Sequence, residues 1–206
     1  MNARGIVLTI AATSAALAAE NPRVGYSKSF PGSKPAFMSI TIDTSGEAEY
    51  KEDPKDENPL KFQLSPAETA EIFSLAEKLD HFKRPVESGL KVANMGMKTF
   101  RFENGAEKHE VKFNYSEDLD ARALADWFEK ISETEQHLIN LERVAKYDKL
   151  GVNQVLLQLE VSWDKKRIVA AQQMLPMLDR IAKNESFMHI ARTRAAGIAD
   201  SIRAAK

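Results

Sequence analysis

Apolar and polar residues alternate with a period of two in two stretches of this chain. Most of the remainder follows a period near 3.6. In FMSITID, Met38, Ile40 and Ile42 fall on one face, and Ser39, Thr41 and Asp43 fall on the other. After Thr44-Ser45-Gly46, Ala48 and Tyr50 alternate with Glu47, Glu49 and Lys51. A three-residue loop with a left-handed Gly46 pairs Asp43 with Glu47, Ile42 with Ala48 and Ile40 with Tyr50. That register sends every apolar residue to one side, so the stretch is predicted to be a β-hairpin. The second alternation, MKTFRFENGAEKHEVKFNY, is centred on Asn104-Gly105, a strong hairpin signal. A two-residue turn there pairs Phe102 with Glu107, Arg101 with Lys108 and Phe100 with His109. Phe100, Phe102, His109, Val111 and Phe113 then face inward, and Thr99, Arg101, Lys108, Glu110 and Lys112 face water.

Each predicted hairpin is followed by a helical pattern. Lys61 to Leu64 suit a short extended piece. Ser65-Pro66-Ala67-Glu68 then combines an N-cap, a proline at the first helical position and a glutamate able to bond back to the cap. The helix from about Pro66 to Phe82 carries Ile72, Leu75, Ala76, Leu79 and Phe82 on one stripe. After the second hairpin a helix starts near Ser116 or Asp118, with Leu119, Leu124, Trp127, Phe128 and Ile131 as its apolar side. Leu138, Leu141, Val144 and Ala145 extend it toward Lys149, and Gly151 ends it. Val152, Val155, Leu156 and Leu159 begin another helix. Asp164 caps a third, carrying Ile168, Ala171, Leu175, Leu178 and Ile181, which Pro176 kinks or divides. A last helix runs from about Glu185 through Met188, Ala191, Ala195, Ile198 and Ile202.

The predicted fold class is therefore α+β. Two β-hairpin–helix units form a four-stranded antiparallel sheet backed by helices on one face, and a C-terminal helical bundle follows. Residues 35–137 make the sheet domain and residues 138–206 the helical region. Ahead of them, residues 19–34 are polar, contain Pro, Gly and Ser, and are predicted to be a flexible leader. Residues 1–18 have one cation, Arg4, an uncharged run and the small-x-small triplet Ala16-Leu17-Ala18. That is the pattern of a signal peptide cut after Ala18, which places the mature protein in the periplasm or outside the cell. The run is short for a membrane span, so no span is expected once it is removed.

Composition narrows the chemistry. The 206 residues are 43% hydrophobic and 29% charged with a net charge of −1, which is ordinary for a globular chain and gives no reason to expect nucleic acid. With no cysteine, disulfides, thiolate zinc sites and a lipoprotein anchor are excluded. IDTSGEAEYKED resembles a calcium loop in its carboxylates. In EF-hand register, however, Ala48 falls at the glycine position and Pro54 at the final glutamate. His81, His109, His137 and His189 show no metal-ligand spacing, and no nucleophile elbow or P-loop occurs. Arg101, Lys108 and Lys112 are either an anion-binding face or a solvated strand surface. His189, Arg192 and Arg194 pair locally with Glu185 and Asp200, and Trp127 and Trp163 sit at core positions. RPVESGLKVANMGM, residues 84–97, is long for a connection, and is either a binding loop or disordered. No residue is assigned a catalytic, cofactor-binding or metal-binding role.

Asp43-Thr44-Ser45-Gly46, Leu64-Ser65-Pro66-Ala67-Glu68 and the second hairpin together resemble uncharacterised exported bacterial proteins of the domain-of-unknown-function kind, over residues 35–131. The resemblance implies export and carries over no active-site residue. The expected function is a non-enzymatic binding or interaction module of the bacterial envelope, whose partner is another envelope protein or a second copy of the chain. The alternatives are a hydrolase with dispersed acidic residues and a self-associating structural protein.

Overall fold

The computed structural model describes residues 21–205, so the expected signal peptide lies outside the described residues. The described residues form strands β1 (Arg23–Ser29), β2 (Phe37–Asp43), β3 (Glu47–Lys51), β4 (Leu60–Gln63), β5 (Met97–Asn104) and β6 (Glu107–Phe113). The helices are α1 (Pro66–Lys78), α2 (Leu119–Tyr147), α3 (Val152–Asp164), α4 (Leu175–Lys183) and α5 (His189–Ala204). The strands make one antiparallel sheet in the order β4-β3-β2-β1-β5-β6. The fold is α+β as expected, but the sheet has six strands rather than four.

The two extra strands lie on either side of the first hairpin. β4 is the short piece at Leu60–Gln63, which pairs with β3 at the sheet edge. β1 lies within the segment expected to be a flexible leader, and it joins the two hairpins by pairing with β2 on one side and β5 on the other. Val24 and Tyr26 are fully buried. The third inward position holds Lys28, which meets Glu129 of α2 at 2.8 Å instead of the core. An inward lysine, which leaves only two apolar inward positions, is what broke the apolar alternation there.

The first hairpin has the expected register, with Ile42 opposite Ala48 and Ile40 opposite Tyr50. Gly46 sits at φ +85° and its carbonyl accepts Leu64 N–H at 3.0 Å, which ties the tip to the start of α1. The second hairpin departs from its predicted register: Phe102 pairs with His109, Phe100 with Val111 and Arg101 with Glu110. The turn residues are Gly105 and Ala106, with Gly105 at φ +58°, so the glycine occupies the first central position as a type II′ turn requires. The shift is two residues and the side-chain period is two, so the inward and outward sets survive.

Val24, Tyr26, Ile40, Ile42, Tyr50, Phe100 and Phe102 turn toward α1 and the first half of α2, where Ile72, Leu75, Leu124, Phe128 and Ile131 meet them. Tyr26 stacks on Phe128 at 4.9 Å. α1 begins with the predicted capping box: Ser65 Oγ accepts Glu68 N–H, and Ser65 N–H donates to Glu68 Oε2 at 2.8 Å. It ends in a turn, Asp80 to Phe82, with three successive non-glycine residues at φ between +49° and +66°. This strained turn is held because Phe82 is buried against Phe100 and His81 stacks on Phe102.

α2 is one continuous helix, so the expected domain boundary at residues 137–138 falls in its middle. Its second half packs with α3, α4 and α5 in a separate hydrophobic cluster containing Leu141, Leu156, Met174, Leu178, Ala195 and Ile198. Asp164 is the last residue of α3 rather than a cap, and the expected third helix is divided, with Pro176 in the first turn of α4. Between α3 and α4 a strap, residues 165–174, crosses back over α2. Lys166 and Ala170 in it have φ +56° and +48°. Val169 and Ala170 pack into the sheet-side core while Ile168 belongs to the helical one, so the strap joins the two.

Candidate functional site: the uncovered sheet face

All helical cover lies on one side of the sheet, and the opposite face is the candidate site. The strand register sets its layout. Across the middle run Lys61, Glu49, Thr41, Gly25, Arg101 and Glu110, one from each strand in spatial order. The next row contains Lys51, Ser39, Ser27, Thr99 and Lys112. The central strands thus contribute a floor of small, uncharged side chains, and the outer strands contribute charged walls. The resulting groove is about 470 Å³ and includes Gly25, Ser27, Ser39, Thr41, Glu49, Lys51, Arg101 and Glu103 in its lining.

The walls are tied down by cross-strand pairs. Arg101 Nε donates to Glu110 Oε2 at 2.6 Å and Arg101 Nη1 to Ser27 Oγ at 3.3 Å. Lys61 faces Glu49 and Lys108 faces Glu103, each at 3.4 Å. The hydrogen bond from Arg101 outweighs burial and, with a weaker one from Lys112, keeps the Glu110 carboxyl below its ordinary value. Of the outward basic residues expected as an anion face, Arg101 and Lys112 both bond Glu110, and Lys108 is paired with Glu103.

One end of this face is apolar. Phe37, Ser29 and Met97 lie opposite one another at the strand ends, and Met97 is 49% exposed. Leu90, Val92 and Met95 of the 84–96 loop are exposed as well. The loop is fastened to the end of β6: Ser88 N–H donates to Tyr115 O, Met95 N–H to Asn114 Oδ1, and Asn114 Nδ2 to Ala93 O. Glu87 accepts Asn114 N–H at 2.6 Å, and this bond chiefly lowers its carboxyl pKa. The apolar exposure therefore belongs to a held loop.

The calcium-like stretch folds as a hairpin tip. Asp43 Oδ1 accepts from Ser45 N, Ser45 Oγ and Glu47 N, and Oδ2 accepts from Asn21 Nδ2. Burial alone would raise this carboxyl, but the bonds from Ser45 and Asn21 and the two backbone N–H groups outweigh it and hold it low. Among the described residues, no three metal-capable side chains gather in one place.

The histidines are dispersed. His81 stacks on Phe102, His109 Nε2 lies 3.0 Å from Glu107, and His189 opens α5. His137 is the one that meets a hydroxyl and an acid: Ser162 Oγ lies 2.9 Å from His137 Nε2 and 2.8 Å from Glu133 Oε1. A nucleophilic serine needs the histidine to accept its proton. Here the hydroxyl reaches Glu133, whose other oxygen is ion-paired with Arg167 at 2.9 Å, and the same serine can accept from His137 N–H. Burial lowers the His137 pKa. The group acts as a polar clamp between α2, α3 and the strap.

Sequence reasoning missed a second acid on α2. Glu135 is 1% exposed, and its carboxylate accepts one hydrogen bond, from Gln173 Nε2 of the strap at 2.8 Å. Burial pushes its pKa up to about 7, and the charge of Glu142 adds to the shift. The signal was present in the pattern. Glu135 follows Ile131 by four residues and precedes Leu138 by three, so a carboxylate stands on the apolar stripe. No protein-family model matches the chain, and comparison with characterised proteins finds no relative, so the functional reading rests on these geometries.

Proposed function

We propose that this chain is a non-catalytic interaction module, exported to the periplasm or beyond, that holds a partner protein on its uncovered sheet face. The observation that carries the reading is the asymmetry of the sheet. One face is sealed by α1 and α2, while the other offers a small-residue floor between paired charged walls and ends in an apolar lip at Phe37, Met97 and the 84–96 loop. Such a floor leaves room for an extended segment, the walls give register through charge, and the lip gives buried apolar contact.

The test is affinity capture from the native envelope with wild type and with a Ser39→Trp/Thr41→Trp variant, whose new side chains fill the floor without entering the core. A partner recovered with wild type and lost with the variant, at unchanged thermal stability, supports the module. Equal capture by both, or no reproducible capture by either, overturns it.

A second reading, self-association, has its own observation. Leu150 is 75% exposed just before α3, and Leu157 and Val161, one turn apart on that helix, are also exposed. Glu160 beside them is engaged by Arg194 at 2.9 Å. A two-fold contact sets like against like, and an uncharged stripe tolerates this. Sedimentation showing a dimer that Val161→Glu dissociates would favour this reading, and a monomer at every concentration would remove it.

A further inference from the structure

Glu135 sits where the sheet-side core and the helical core meet, and the strap closes over it. Four anchors hold that strap. Thr134 Oγ1 accepts Val169 N–H at 3.1 Å, Glu68 Oε1 accepts Ala170 N–H at 2.9 Å, Arg167 spans Asp126 and Glu133, and Gln173 donates to Glu135. The first three are satisfied whatever the state of Glu135. The fourth is not, because an ionised carboxylate that is 1% exposed needs more than one neutral amide donor.

The charges around Glu135 give it no relief. From α2 itself, Glu142 is a like charge. In the strap, Arg167 is engaged by Asp126 and Glu133. On α1, Glu68 is bound to the backbone of Ala170 and Ser65. On α5, which packs on the same turn as Gln173, Arg192 makes no ion pair with Glu135, and its Nε is buried without a partner among the described residues. The local route to water is for the strap to lift. Its left-handed Ala170 is held in a costly backbone region by the docked bond to Glu68 and relaxes when the strap lifts, whereas Lys166 closes the end of α3 and marks where the strap begins.

We propose that the strap of residues 165–174 is a proton-dependent latch, closed on α2 while Glu135 carries its proton and loosened when Glu135 ionises. Glu135 has an ordinary carboxyl value of 4.5 when exposed by opening and a value of about 7 when covered. Opening releases the proton between those limits. The opening constant therefore rises about tenfold per pH unit across that window and levels off above it. The latch is tight in mild acid and loosest from neutrality upward.

Hydrogen exchange of the Val169 and Ala170 amides, expressed as protection factors to remove the intrinsic pH dependence of exchange, tests this directly. In wild type, protection is expected to fall by about fortyfold from pH 5 to pH 7, by about twofold more above it, and then stay level. In Glu135→Gln, which keeps an acceptor for Gln173, protection should be independent of pH and near the wild-type acid value. A second measurement does not depend on the variant folding: the Glu135 carboxyl carbon shift of the wild-type protein should titrate near neutrality. Flat wild-type protection, the same pH dependence in Glu135→Gln, or titration of Glu135 at its ordinary value would each overturn the latch.

Discussion

Glu135 and Gly46 show how single positions reveal themselves. A carboxylate whose pKa is raised in the fold binds its proton more tightly when folded. Below about 4.5 both states hold the proton and the residue costs nothing. As pH rises to about 7 the unfolded chain ionises first and stability falls, and above that the full penalty remains. The penalty is about 3 kcal/mol. Glu135→Gln is therefore expected to raise stability at pH 8 by up to about 3 kcal/mol in urea unfolding, and to leave pH 4 stability nearly unchanged. Asp43 and Asp118 act with the opposite sign. Their hydrogen bonds hold their pKa values low, so their contribution is present above the ordinary aspartate value and is lost as pH falls through the folded one. Wild-type stability should peak in mild acid, between these effects. At Gly46, an added Cβ would lie 2.9 Å from Leu64 O and 2.7 Å from Thr69 Oγ1, at φ +85°. Gly46→Ala should cost about 2–3 kcal/mol, measured as a lowered denaturation midpoint at unchanged m-value.

At the scale of elements, patterns were legible where both partners of a contact are near in sequence. The first hairpin and the Ser65 capping box are local and were readable from a few residues, while the start of α2 was narrowed to Ser116 or Asp118 and is capped by Asp118. Ser65→Ala should cost about 1 kcal/mol in thermal unfolding, because Glu68 N–H loses its Ser65 Oγ acceptor while the backbone N–H of residue 65 still binds the Glu68 carboxylate. Illegible elements depend on distant partners. β1 has only two inward apolar residues, and its third inward side chain, Lys28, makes sense only beside Glu129, 101 residues away. The second hairpin was misplaced by two residues because Asn104-Gly105 fits one turn type while the chain uses Gly105-Ala106 in another. The strap reads as part of a helix because Ile168 and Ala171 continue the spacing of Leu175 and Leu178. Its Val169 and Ala170 amides instead bond to Thr134 and Glu68, which are distant in sequence.

For the whole molecule, α2 makes two cores into one body, with the strap as a second connection. Calorimetry should show a single unfolding transition. Arg167→Ala cuts both ion pairs of the strap, at a cost of about 1 kcal/mol, and should broaden or split that transition as the helical core separates from the sheet. The candidate face was half readable. Its outward charged residues were identified from the alternation in β5 and β6. The small floor could not be seen without β1, which puts Gly25 and Ser27 at its centre.

The central position of β1 also bears on how the chain is made. β1 and β2 are separated by seven residues and can pair early, but the opposite edge of β1 waits for β5, whose last residue is Asn104. Any process that delivers the chain from its N-terminus holds residues 23–29 with one row of backbone donors and acceptors open for the time needed to deliver some 75 further residues. Open strand edges recruit other chains. A nascent chain halted before Met97 is thus a sticky three- or four-stranded fragment, and its safe passage depends on delivery rate or on a holding factor, neither of which the finished protein needs.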